Sequence, residues 1–119
     1  MRRNAHAPYS GFAVGAAVRA DGRTFAGVNV ENASFPLSAC AERNALAAAI
    51  AAGATDIDAV AVVAGEDDAT PPCGACRQVL VELAPGATVV SESARGRRRT
   101  WAVGDLLPDA FDARSLAGP

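Results

Sequence analysis

All three cysteines of this chain fall in two short segments, Cys40-Ala41-Glu42 and Pro72-Cys73-Gly74-Ala75-Cys76. An odd cysteine count argues against a disulfide framework, and a C-x-x-C pair with a third, distant thiol reads as metal or redox chemistry in a reducing compartment. The fold must therefore bring together two segments that lie far apart in sequence. Cys73 and Cys76 are i and i+3, so one helical turn sets them side by side, and Pro72 suits the entry to such a helix.

The surrounding pattern predicts where those helices begin. Residues 12–19 and 24–30 read as two strands joined by the turn signal Asp21-Gly22, a β-hairpin. The stretch 31–39 is loop-like, with Pro36 as a breaker. A helix is expected from Ser38, as N-cap, to about Ala52, stopped by Gly53. Residues 57–64 form a nearly continuous apolar run and read as a strand buried on both faces. A second helix is expected from near Cys73 to the residues before Pro85-Gly86, then a short strand over 87–91. The segment SARGRRRT reads as a basic connector, and TWAVGDLLPDAF as a strand or turn followed by a short helix. This alternation predicts an α/β protein, a three-layer α/β/α sandwich around a mixed sheet of about five strands.

At 119 residues the chain is one domain with enough length for a core of its own. A formal net charge of −2 argues against general nucleic-acid binding. No apolar run is long enough to cross a membrane, and the N-terminal stretch has no secretory h-region, so residence in the cytoplasm is expected. Arg95, Arg97, Arg98 and Arg99 form the one basic cluster and could track phosphates, but without interleaved aromatics a solvated connector is the simpler reading.

Both cysteine segments sit at predicted helix starts, where unpaired N–H groups and the positive end of the helix dipole favour thiolate. Three thiolates and one nearby acid form the inventory of a catalytic zinc site with an open position. Cys40, Cys73 and Cys76 are the candidate Zn²⁺ ligands, and Glu42 is the candidate proton carrier beside the metal. Arg43 is expected to hydrogen-bond a ligand sulfur and offset the negative charge of the three thiolates. Two plainer readings stand beside this one. The C-x-x-C pair could be redox-active or simply buried, and His6, the sole histidine, could close the site as a fourth, structural ligand; its place in a terminal stretch favours a surface position.

Five blocks in order extend the pattern: APYSGFAVGAA at 7–17, GVNVENASFPL at 27–37, CAER at 40–43, PCGACRQVL at 72–80 and VGDLLPDAF at 103–111. Together they resemble the small, homotetrameric, zinc-dependent cytidine deaminases over nearly the whole chain. The resemblance implies hydrolytic deamination of cytidine and 2′-deoxycytidine in pyrimidine salvage. It implies that Asn29 and Glu31 bind the sugar hydroxyl, that Phe12 lines the base pocket, and that backbone groups near Ala39 and Cys40 contact the pyrimidine. It further implies that Phe35 and Phe111 complete a neighbouring subunit's site, and that Gln78 lies near the ligand sulfurs with Arg43. Phe12 and Phe111 would otherwise read as core residues, and Asn29 as a turn residue.

Two departures from the resemblance bear on it. The APYS block stands almost at the start of the sequence, where relatives carry a helix before it, so a single catalytic domain over 1–119 with a shortened or absent N-terminal helix is expected. Phe35 occupies a position where many relatives have tyrosine, which removes a polar contact to the sugar. Deamination of a cytosine nucleoside antibiotic of the blasticidin S type, and a non-catalytic structural zinc module, are the alternative functions. The alanine-rich stretch 45–52 fits either a subunit interface or an internal helix packed on the sheet.

Overall fold

The structure, a computed structural model, describes residues 1–117. Strands β1 (Gly15–Ala20) and β2 (Arg23–Val28) form an antiparallel hairpin in full register. Its turn residues Asp21 and Gly22 both have positive φ, 53° and 76°, the two-residue geometry whose twist matches that of the flanking strands. Strands β3 (Ile57–Val63), β4 (Thr88–Glu92) and β5 (Arg98–Ala102) complete a sheet of order β2-β1-β3-β4-β5. β3 and β4 run parallel and the other neighbours antiparallel, so the sheet is mixed.

Two helices follow strands in sequence: α1 (Ala41–Ala51) after the hairpin, and α2 (Gly74–Leu83) between β3 and β4. The latter is the crossover that a parallel pair requires. Helix α1 ends in a Schellman arrangement. Ala54 N–H reaches the Ala49 carbonyl and Gly53 N–H the Ile50 carbonyl, with Gly53 at φ 81°, as a left-handed C′ position favours. Short helices α3 (Val103–Leu106) and α4 (Ala113–Leu116) close the chain. No described helix is long and apolar enough to cross a membrane.

The core lies on one face of the sheet. Val18, Val60 and Val89 from the strands pack with Leu46 and Ala49 of α1 and Leu80 of α2. Burying each such leucine stabilises the fold by about 2 kcal/mol. Alanines at 45 and 49 let α1 lie close to the sheet, and Gly27 in β2 makes that approach possible. A Cβ there would stand 2.5 Å from the Ala45 nitrogen and 2.6 Å from the Ala41 carbonyl oxygen. The alanine-rich stretch thus packs internally along one side, while Ala47, Ile50 and Ala51 face outward.

The α/β class and the mixed five-stranded sheet are as expected. Other details differ. Among the described residues, the opposite face of the sheet carries only a 3₁₀ turn over Arg2–Asn4, with Arg2 against Gly15, and no α-helix precedes β1. In consequence β3 is half-buried, with Asp58, Ala61 and Val63 exposed, and not enclosed on both sides. Helix α1 starts at Ala41 with Cys40 as N-cap, not at Ser38. A 3₁₀ turn over Phe35–Leu37 leaves Ser38 extended, and Ala39 then bridges to Val30 through paired backbone hydrogen bonds. The basic segment is not wholly a connector: Arg98, Arg99 and Thr100 lie in β5, paired with β4.

Candidate active site

The two cysteine segments meet at the ends of α1 and α2, and the cap residues explain how. Cys40 and Cys73 are the N-caps of the two helices, and Cys76 sits one turn into α2. The Cys73 sulfur accepts from the Cys76 N–H at 3.5 Å, the bond that a serine or aspartate would accept at a helix start. The three sulfurs all lie within 4.8 Å of one another, with Cys40 and Cys73 3.6 Å apart. Zinc–sulfur bonds of about 2.3 Å in a tetrahedral array place sulfurs roughly 3.8 Å apart, so this cluster fits the ion. Among the described residues no fourth histidine, cysteine or carboxylate joins the group. His6 is exposed and held elsewhere, its N–H bonded to the Asn29 carbonyl. A three-ligand set leaves a coordination position open, as in catalytic and not structural zinc sites.

Charge around the cluster follows from the same geometry. Arg43, one turn into α1, donates to the Cys40 sulfur at 3.8 Å and to the Ser38 carbonyl at 3.0 Å. Its Nε is buried without a partner. The hydrogen bond from the Cys76 thiol, assisted by Arg43, brings Cys40 down to about 5 despite its partial burial. Cys76 is pushed up, because it donates to the Cys40 thiolate and is itself buried. Glu42 is 5 % exposed. Burial raises its pKa, and the neighbouring Cys40 thiolate adds to the effect. A carboxyl so placed holds a proton more readily than a free one.

A cavity of about 240 Å³ opens onto this cluster. It is lined by Cys40, Glu42 and Cys73, by Phe12, Asn29 and Glu31 from the hairpin and the residues beside it, and by Val62, Thr70 and Pro71. It lies at the carboxyl end of parallel β3, the usual location for a site in an open α/β sheet. A second recess of about 400 Å³, lined by Tyr9, Phe35 and Ser38, shares Ser10 and Glu31 with it.

Several residues singled out in the sequence have a definite local task. Asn29 is buried; its Oδ1 accepts from Val14 N–H at 2.9 Å and its Nδ2 donates to the Phe12 carbonyl at 2.8 Å. Glu31 accepts from the Tyr9 and Ser10 N–H groups and from the Ser10 hydroxyl. These bonds hold its pKa below the usual carboxylate range, the Ser10 hydroxyl contributing most. Together they fix the segment that carries Phe12. Ala39 lies against Val30 and is not part of the cavity lining.

Phe35 and Phe111 stand outside the cavity and are 70 % and 60 % exposed. Gln78 donates to the Phe111 carbonyl at 2.7 Å, and none of its described hydrogen bonds reaches a sulfur. The basic cluster is largely paired. Arg95 meets Asp67, Arg97 meets Asp68, Arg98 meets Glu92, and Arg99 lies 4.8 Å over the Trp101 ring. Ser10, Val62, Thr70 and Pro71 were not singled out in the sequence. Ser10 falls inside the block at 7–17 without a role read for it, and no motif marks Val62, Thr70 or Pro71.

The family model for the cytidine and deoxycytidylate deaminase zinc-binding region matches residues 1–92, and the chain belongs to that family. It is 47% identical over 117 residues to a cytidine deaminase of Halalkalibacterium halodurans, covering 97% of this chain and 89% of that protein. It also resembles the crystal structure of cytidine deaminase from Burkholderia pseudomallei, with TM-score 0.88 and 52% identity over 92% of this chain and 90% of that one. The cytidine deaminase structure from Mycobacterium tuberculosis matches with TM-score 0.77 and 43% identity, over 92% and 87% of the two chains. The zinc-binding region of the family and the convergence of Cys40, Cys73 and Cys76 agree on the metal.

Proposed function

We propose that the protein hydrolytically deaminates cytidine and 2′-deoxycytidine to the corresponding uridines and ammonia. The observation that carries the reading is the convergence of three sulfurs, with Cys40 and Cys73 lining one cavity together with buried Glu42. Cys40, Cys73 and Cys76 would hold the zinc. When bound, the ion supplies Lewis acidity that makes water a competent nucleophile at neutral pH. Glu42 serves as the proton carrier, taking a proton from water on its carboxylate and delivering it to the ring nitrogen and then to the departing amine. Its raised pKa suits both halves of that task. Arg43 stabilises the thiolate form of Cys40.

Phe12 would pack against the base, with Asn29 and Glu31 presenting their remaining hydrogen-bonding capacity to the sugar. The backbone at Cys40, which lines the cavity, would face the pyrimidine, while that of Ala39 is committed to Val30. Phe35, Phe111 and Leu37, all large and exposed, support assembly into a homotetramer in which neighbouring subunits share sites. Gln78 would act on that arrangement through Phe111. Three free cysteines that must stay reduced suit the cytoplasm. The test is the ultraviolet absorbance of cytidine, deoxycytidine and blasticidin S on addition of zinc-loaded protein. Turnover of the two simple nucleosides supports the reading, and turnover of blasticidin S alone would replace it with an antibiotic deaminase.

A further inference from the structure

The cavity wall formed by Thr70 and Pro71 belongs to the long loop between β3 and α2, residues 64–73. Such a loop would ordinarily be among the more mobile parts of a fold. Here it is fastened to β4 and to the β4–β5 turn along most of its length. Ser91, fully buried in β4, donates its hydroxyl to the Thr70 carbonyl at 2.7 Å. Ser93, 2 % exposed, donates to the Asp67 carbonyl at 2.9 Å and accepts from the Arg97 N–H at 3.1 Å. Backbone bonds run from Ala94 N–H to the Gly65 carbonyl and from Arg95 N–H to the Glu66 carbonyl. Gly65 makes the tight start possible: its φ is +78°, and a Cβ would stand 3.0 Å from both the Asp68 carbonyl oxygen and the Thr70 hydroxyl.

A hydroxyl in a strand interior needs a reason, because an apolar residue would pack there without requiring a partner. Neighbouring Val89 on the same buried face shows the apolar alternative. Ser91 also pairs in register with Val62, which lines the cavity. Its hydroxyl therefore ties the sheet floor of the cavity to the loop wall at the residue adjoining Pro71. We propose that Ser91 is a positioning residue for ligand recognition, assisted by Ser93. It holds the Thr70–Pro71 wall at a fixed distance from Phe12 and so sets the affinity for the pyrimidine nucleoside and not the rate of the chemical step. The exposed Arg95–Asp67 and Arg97–Asp68 pairs add little to this clamp, since they are open to solvent.

This inference rests on the cytidine deaminase reading, and the experiment separates the two. Steady-state kinetics on cytidine are measured for the wild type, Ser91→Ala and Ser93→Ala, with zinc content and hydrogen exchange of residues 66–70. Ser91→Ala is expected to raise KM about tenfold, the factor associated with losing one partly buried hydrogen bond. Its kcat should stay within about twofold and its zinc content should be unchanged. Ser93→Ala, one step farther from the cavity, is expected to raise KM less, and amide exchange should quicken in both variants. A fall in melting temperature with KM unchanged in both would overturn the proposal, leaving the serines as fold residues only. Should Ser91→Ala not fold, KM and exchange in Ser93→Ala decide. A wild type that does not turn over cytidine defeats the functional reading, and unchanged exchange in the variants would then defeat the clamp.

Discussion

Glu42 occupies the first turn of α1 with almost no access to water. That position serves two purposes. The helix start supplies a favourable dipole for negative charge, while burial resists ionisation, and the raised pKa shows that burial prevails. The convergence of the cysteines was legible where the spacing sits within a few positions of sequence. The C-G-A-C segment marks its two thiols because one helical turn aligns Cys73 with Cys76, while Cys40 and Glu42 are marked only by their spacing and join them through the fold. Ser10, Thr70 and Ser91 were not legible, since a serine or threonine has no single chemistry and gains its task only from a partner distant in the chain. Asp21 shows the same limit in the hairpin turn. The sequence marks it as a turn residue, yet its carboxylate also accepts the Thr55 and Asp56 N–H groups at 2.9 and 3.0 Å. Those bonds, Thr55 first, hold its pKa below the ordinary 3.8. A depressed acid stabilises the fold above the unfolded-state pKa and loses that contribution as pH falls through its lower folded value. Asp21→Ala should therefore lower the melting temperature at pH 7, and the gap from wild type should close as acid protonates the carboxyl. An equal gap at pH 7 and below pH 3 would contradict this.

At the scale of elements, the site depends on where α1 and α2 begin relative to the sheet. Gly27 fixes the first of these. Since a Cβ at this position would meet backbone atoms of α1, no rotamer change relieves the contact and the helix itself must move. Gly27→Ala is expected to cost about 3 kcal/mol in chemical denaturation, at the upper end for overpacking, and to weaken zinc retention because Cys40 and Glu42 ride on the displaced helix. A cost under about 0.5 kcal/mol, in the range of ordinary surface changes, would show that the close packing is not needed. The hairpin, both long helices and the mixed character of the sheet were readable from periodicity and turn signals, but not which strands pair in parallel. The start of α1 was not, because Ser38 looks like an N-cap until the 3₁₀ turn at Phe35–Leu37 and the Val30–Ala39 bridge extend the chain past it. The basic segment hid strand β5 because its arginines carry little apolar alternation, and they are settled by Glu92 and Trp101.

Taken as a whole, the molecule leaves large apolar side chains exposed: Tyr9, Phe12 and Phe35 line the cavity or the recess beside it, Phe111 lies beside Gln78, and all four are between 44 % and 70 % exposed. Tyr9 and Phe35 meet edge to face with ring centroids 5.9 Å apart, a preferred aromatic geometry. Large exposed apolar side chains mark an interaction surface, which is why the homotetramer reading assigns Phe35 and Phe111 to subunit contacts. Phe35→Asp should shift the mass measured by light scattering from a tetramer to smaller species and reduce turnover with it; an unchanged mass would remove the shared-site arrangement. The homotetramer reading rests on family resemblance, since nothing in periodicity separates an exposed interface aromatic from an ordinary core residue. The central claim is that a zinc held by three cysteines and a proton carried by Glu42 together deaminate cytidine. The most direct measurement compares cytidine turnover and zinc content in the wild type and Glu42→Ala. The account predicts one zinc per chain in both and a loss of at least about a hundredfold in kcat for the variant, the lower range for removing a general acid–base group. Equal turnover in the two zinc-loaded proteins, or no turnover in either, would contradict it.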